Sequence, residues 1–303
     1  MVAYLFAGQG SQYVGMGKDL YESFPESKAV FDKADQILGF SLTGLMFNGP
    51  QEELTKTQNC QPAILTMSIA AWEAFKLTKS YESGAGNYTA GLSLGEYSAL
   101  VAAESMSFED ALYLVKRRGQ FMEEEALKKP GAMLSVIGLG LEKVKEVCRK
   151  TDTEIANINS PGQIVISGGL KQIESAQAEA KSSGAKMAVK LEVSGAFHSS
   201  FMAEASLRLV QELKKIQITA PRLSFVSNLT GKQASSTEEI KNNLIKQVTS
   251  SVLWEDSIRL ILSKGINKFY EFGPGKVLKG LMRRTDPAAQ VTNIEKKEDI
   301  LNL

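Results

Sequence analysis

At 303 residues, 43% hydrophobic and 23% charged, the chain has an ordinary globular composition and enough length for about two domains. Thirty-five basic residues against 34 acidic ones leave a net charge of +1, which excludes a globally basic nucleic-acid binder and an acidic disordered tail. Two cysteines, Cys60 and Cys148, and a single histidine, His198, exclude a disulfide framework, a four-cysteine zinc site and any multi-histidine metal site. No apolar run approaches the roughly 18 residues of a membrane span. Met1–Ala7 runs into Gly8-Gln9-Gly10 without a basic stretch or cleavage site, so no leader is expected. These features predict a soluble, cytoplasmic protein with neither membrane nor nucleic acid as partner.

In chain order, Val2–Phe6 reads as a buried strand closed by the turn Gly8-Gln9-Gly10-Ser11-Gln12. Pro62 suits the first turn of a helix carrying Ile64, Ile69, Trp72 and Phe75. After a polar stretch, Tyr88-Thr89-Ala90 leads into a second glycine turn, Gly91-Leu92-Ser93-Leu94-Gly95, and a helix to about Ala103. Ser107 and Asp110 have the spacing of a capping box ahead of a helix to about Lys128. The rhythm then changes. Strands at Ala132–Ile137, Ile155–Ile158, Ile164–Ser167 and Met187–Val193, with helices at Leu141–Arg149 and Leu170–Ser182, give the order β-α-β-β-α-β of a ferredoxin-like unit. Beyond it, helices at Ser199–Lys215, Thr237–Gln247, Trp254–Ser263 and Gly275–Arg284 alternate with strands at Leu223–Ser227 and Lys268–Glu271. The expected fold is an α/β core with a mostly parallel sheet, built from residues 1–128 and 196–303 and interrupted by a small ferredoxin-like domain at 129–195.

Gly91-Leu92-Ser93-Leu94-Gly95 fits the nucleophile elbow, a sharp strand-to-helix turn that lifts a serine hydroxyl out of the sheet. An ordinary glycine turn would show the same five residues. A serine needs a base at neutral pH, and His198, in the loop Ser194–Ser199, is the one histidine available. The chain does not identify an acidic third member. On the helix before residue 128, Phe108, Ala111, Leu112, Val115, Gly119 and Met122 form an apolar stripe, with Arg118 at its edge and Arg117 on the far side. An arginine at such an edge pairs either with a protein carboxylate or with a substrate carboxylate. The main-chain N–H of Gln9 could serve an oxyanion, or Gly8–Gln12 could be a tight loop and nothing more.

Five stretches in order, Gly8–Gln12, Gly91–Glu96, Arg118-Gly119, Gly195-Ala196-Phe197-His198-Ser199 and Glu271–Leu278, resemble the malonyl-CoA:acyl carrier protein transacylases, over nearly the whole chain. The resemblance implies an α/β-hydrolase-like core with an inserted ferredoxin-like domain. It implies an acyl-enzyme on Ser93, a base at His198 oriented by the main-chain carbonyl of Gln247, and an oxyanion hole from the N–H groups of Gln9 and Leu94. Arg118 would hold the malonyl carboxylate, and the ring of Phe197 beside the site would disfavour an α-methyl group. Leu92 stands where many members have His, and Ser251 where Pro is usual. Malonyl-CoA and acyl carrier protein are the implied partners of a monomeric enzyme that needs no metal or bound cofactor. Fatty acid synthesis is the expected pathway. The rivals are a malonyltransferase acting in trans in a polyketide pathway, an acyl hydrolase of the same architecture, and a non-catalytic carrier-docking module. Carrier proteins are acidic, and Lys276, Lys279 and Arg283, at helical spacing, are a candidate docking patch, although a plain solvated helix face reads the same way.

Overall fold

The computed structural model describes residues 1–84 and 86–303. In chain order its strands are β1 (Ala3–Phe6), β2 (Tyr88–Gly91), β3 (Gly131–Ile137), β4 (Glu154–Ser160), β5 (Gln163–Gly169), β6 (Met187–Lys190), β7 (Ser224–Ser227), β8 (Lys232–Gln233), β9 (Val252–Leu253), β10 (Lys268–Phe272) and β11 (Gln290–Ile294). They form two sheets. The first has the order β11-β10-β1-β2-β7-β8 and is parallel except where β8 turns back on β7.

β1 and β2 are buried at every residue, as expected of central parallel strands covered on both faces. Successive side chains point to opposite faces. Tyr4 and Phe6 meet the helix Thr57–Phe75, with Tyr4 4.8 Å from Trp72 between ring centroids at an edge-on 67°, and Phe75, Tyr270 and Phe272 close the cluster. Ala3 and Leu5 face the other way, toward Trp254, Ile258 and Leu278.

The second sheet has the order β6-β3-β5-β4-β9. Its first four strands are antiparallel neighbours in ferredoxin-like order, with helices Leu141–Thr151 and Leu170–Ser182 on one face. Leu134, Val136, Ile164 and Ile166 pack against those helices through Val144, Val147, Ile173 and Ala176. The alternate residues Met133, Ser135 and Val165 face a cavity shared with the first sheet. The architecture is mixed α/β, as expected.

Four differences from the sequence reading have physical causes. Pro62 lies inside the helix Thr57–Phe75, not at its first turn. Proline cannot donate to the carbonyl four residues back, and that carbonyl, on Gln58, accepts instead from Lys116 Nζ at 3.3 Å. Met187–Val193 is a strand only to Lys190, because β3 pairs with it over Met187–Lys190 alone. β9 lies outside the 129–195 segment yet pairs with β4 through Asn157↔Val252 and Ile158↔Leu253. Finally, residues 18–55 carry four short helices and residues 290–294 a strand that periodicity did not single out.

Candidate active site

β2 ends at Gly91, and the helix Gly95–Ala102 starts four residues later, with Ser93 at the bend. A side chain at Gly91 would put its Cβ 1.9 Å from the Gly95 carbonyl carbon, and one at Gly95 would put it 2.2 Å from the Phe6 carbonyl oxygen. The elbow therefore requires glycine at both places. Ser93 itself has φ +52°, a left-handed conformation that costs a non-glycine residue about 1–3 kcal/mol. Asn228 holds it there: its Oδ1 accepts the Ser93 N–H at 2.6 Å while its Nδ2 donates to the Gly91 carbonyl at 2.8 Å.

His198 is also left-handed, with φ +56°. Its loop is tied down by Ser167 Oγ of β5, which donates to the Phe197 carbonyl at 2.6 Å, and by Ser199 Oγ, which donates to the Ala196 carbonyl at 2.6 Å. The His198 Nδ1–H donates to the Gln247 carbonyl at 2.8 Å. A carbonyl can only accept, so the proton sits on Nδ1 and leaves Nε2 as the acceptor for the Ser93 hydroxyl, 2.7 Å away. Burial, reinforced by the nearby Arg118 charge, pushes the His198 pKa down from 6.5 to about 4. The ring is thus neutral, and able to take a proton, at any pH near 7.

Arg118 is 1% exposed. Its Nη1 donates to Gln61 Oε1 at 2.9 Å, and its Nη2 donates to Ser93 Oγ and Gln247 Oε1, both at 3.1 Å. All three acceptors are neutral, so the protein-carboxylate alternative for this arginine is not realised. Its Nε–H is buried without a hydrogen-bond partner among the described residues. The side-on fork of Nε and Nη2, the edge that grips a carboxylate, therefore carries no anion of the protein itself. Burial holds the Arg118 pKa below its ordinary value. Arg117 points outward to Glu212 at 3.5 Å.

The main-chain N–H groups of Gln9 and Leu94 donate to no protein acceptor among the described residues, whereas those of Ser93, Gly95 and Glu96 are all engaged. Leu94 precedes the helix Gly95–Ala102, whose positive end favours a developing oxyanion. Gln9, Ser93, Phe197 and His198 line a cavity of about 310 Å³ between the two sheets, and Met133 of β3 and Asn157 of β4 form its far wall. Val277 lies at its edge, beside exposed Lys276 and followed by half-buried Lys279 and exposed Arg283. No group of three or more His, Cys, Asp and Glu among the described residues is arranged to hold a metal ion. No described helix is long and apolar enough to cross a membrane.

Two residues of this cluster, Gln61 and Asn228, carry no signal in the sequence, and Glu96, which closes the Gly91–Glu96 stretch, has no role assigned to it there. Glu96 is fully buried, and its two carboxylate oxygens accept from the Asn228 N–H and from Gln247 Nε2. Burial raises its pKa from 4.5 to about 7 against the pull of those donors. A lone carboxylate ahead of the mostly apolar stretch Tyr97-Ser98-Ala99-Leu100-Val101 is the hint in the sequence.

The acyl transferase domain family matches residues 3–297. The malonyl CoA-acyl carrier protein transacylase of Bacillus subtilis (strain 168) is 45% identical over 305 residues, covering 99% of this chain and 95% of its own. Among solved structures, an acyl carrier protein S-malonyltransferase from Vibrio cholerae O1 biovar eltor superposes with a TM-score of 0.94 at 35% identity, covering 99% of each chain. A malonyl-transacylase solved in complex with a holo type II PKS acyl-carrier protein gives 0.95 at 35% identity, covering 99% of this chain and 98% of its own. With matches spanning almost its whole length, the chain belongs to the acyl transferase family and, within it, to the malonyl CoA-acyl carrier protein transacylases.

Proposed function

We propose that the chain moves the malonyl group from malonyl-CoA to the phosphopantetheine thiol of an acyl carrier protein through an ester on Ser93. The Ser93 hydroxyl passes its proton to His198 Nε2 as Oγ bonds to the thioester carbonyl carbon. The carbonyl oxygen gains negative charge and is met by the N–H groups of Gln9 and Leu94. When the carbon–sulfur bond breaks, CoA leaves as the thiol with the proton from His198. In the second half the carrier thiol gives its proton to His198, its sulfur attacks the ester, and Ser93 recovers the proton as its bond to the acyl carbon breaks. Gln247, through its carbonyl, keeps the His198 ring in the tautomer that both halves require. Phe197 crowds the acyl group and selects against an α-methyl branch by about 1–3 kcal/mol.

The observation that carries this reading is Arg118, a buried cation 3.1 Å from Ser93 Oγ whose acceptors are all neutral. A hydrolase of plain acyl chains has no use for it, whereas a malonyl carboxylate supplies the anionic partner that the protein's own neutral acceptors do not. The chemistry calls for no bound cofactor, and the cytoplasm, where CoA thioesters and carrier proteins meet, is its setting. We assign the malonyl unit to fatty acid synthesis. Intact-mass measurement after exposure to malonyl-CoA tests the site: the wild type gains one malonyl group and Ser93→Ala gains none. A labelled Ser93→Ala protein would remove the serine from the mechanism.

A further inference from the structure

Glu96 lies three residues beyond Ser93, in the first turn of the helix Gly95–Ala102, and no part of it reaches solvent. Each of its oxygens holds one supporting arm of the Ser93–His198 pair. One accepts the main-chain N–H of Asn228, whose side chain fixes the Ser93 N–H. The other accepts from Gln247 Nε2, and the carbonyl of Gln247 orients His198. The side-chain amide of Gln247 is thereby polarised along one direction. Its Nε2 donates to Glu96 and to the Ser93 carbonyl, and its Oε1 takes Arg118 Nη2. An amide has nearly the same shape either way round, so only its neighbours decide which end faces the guanidinium. The carboxylate at one end and the cation at the other make that decision.

We infer that Glu96 is a positioning residue for acyl transfer, whose carboxylate locks the Gln247 side chain with Oε1 toward Arg118 and so holds the arginine and the Ser93 elbow in register. The inference rests on the Ser93 reading above and adds to it a residue that touches neither substrate nor the reacting atoms.

Glu96→Gln is the sharpest variant because it keeps the shape. Its one carbonyl serves the Asn228 N–H, which cannot turn, and leaves an NH2 group facing Gln247, whose amide can. Gln247 then reverses, setting its own NH2 against Arg118 and its carbonyl against that of Ser93. We expect the rate of Ser93 acylation by malonyl-CoA, per folded molecule, to fall about ten- to hundred-fold. Glu96→Asp keeps the charge and acylates faster than Glu96→Gln, the reverse of the order that shape alone would give. Gln247→Ala spares the carbonyl that holds His198 and cuts the same bridge, so it is slowed as well. The double variant Glu96→Gln/Gln247→Ala is no slower than the slower single one. Gln247→Ala carries the test alone if thermal melts show that Glu96→Gln does not fold. Wild-type acylation in Glu96→Gln or Gln247→Ala, an Asp variant slower than the Gln variant, or multiplied losses in the double variant would each overturn the inference. Ser93→Ala run alongside separates the two failures: labelling that survives there removes the serine reading, and its absence leaves Glu96 alone at issue.

Discussion

The two sheets place their chemical groups by different physical means. In the parallel sheet, Ser93 is set by its own backbone: two glycines that tolerate no Cβ, a left-handed serine and a helix starting at once behind it. The antiparallel sheet supplies a wall and an anchor. Met133, Asn157 and Val165 bound the cavity, and Ser167 of β5 pins the carbonyl of Phe197 and hence the loop that ends in His198. The bend at the proposed nucleophile thus rests on adjacent residues and is anchored from a distance by Asn228, whereas the proposed base depends more on distant contacts, to Ser167 and Gln247. We propose that segment 129–195, with β9 joined to its edge, acts as one inserted unit against which the base is set.

The most damaging break in this arrangement is removal of the base. His198→Ala should slow acylation by about 10²–10⁴-fold, read as the rate of mass gain with malonyl-CoA, and leave the elbow intact. Because the chain has one histidine, ring NMR reads its ionisation directly. The resonances should hold steady from pH 8 to pH 5 and titrate near 4; a midpoint near 6.5 would show that the ring is not buried as described. The sign for stability follows. The unfolded chain takes up this proton near 6.5 and the folded chain only near 4, so His198 contributes a loss of stability as pH falls through that window.

Arg118→Ala sharpens the comparison beside Ser93. Malonyl loading should drop by about 10–100-fold while acetyl loading falls less, measured as competing acylation by the two CoA esters. An unchanged malonyl preference would contradict its role. Smallest is the rim. Reversing the charges of Lys276, Lys279 and Arg283 should lower turnover with carrier protein severalfold and spare acylation by malonyl-CoA, because rim charges act mainly on encounter. Equal loss in both half-reactions would show that this helix is no docking surface.

These contrasts also explain what could be read from the chain. The elbow was legible because its constraint is local, two glycines around a serine after a strand. Arg118 was legible to the edge of its helical stripe, but its choice of neutral partners was not, since Gln61 and Gln247 come from distant segments. The carbonyl of Gln247 leaves no trace in sequence, because every residue has one; resemblance alone pointed to it. By sequence alone Pro62 suits a helix start, because a mid-helix proline orphans a carbonyl, and the lysine that satisfies it lies on another helix. β9, two residues long, is too short for periodicity to show.

We propose that Ser93 carries the malonyl group from one thiol to another. The direct measurement loads the enzyme with malonyl-CoA, removes free CoA and follows the acyl-enzyme by intact mass in buffer alone and after addition of holo carrier protein. The expected result is an ester that persists in buffer and moves promptly to the carrier thiol. Rapid release of free malonate in buffer, with no gain of mass on the carrier, would contradict it.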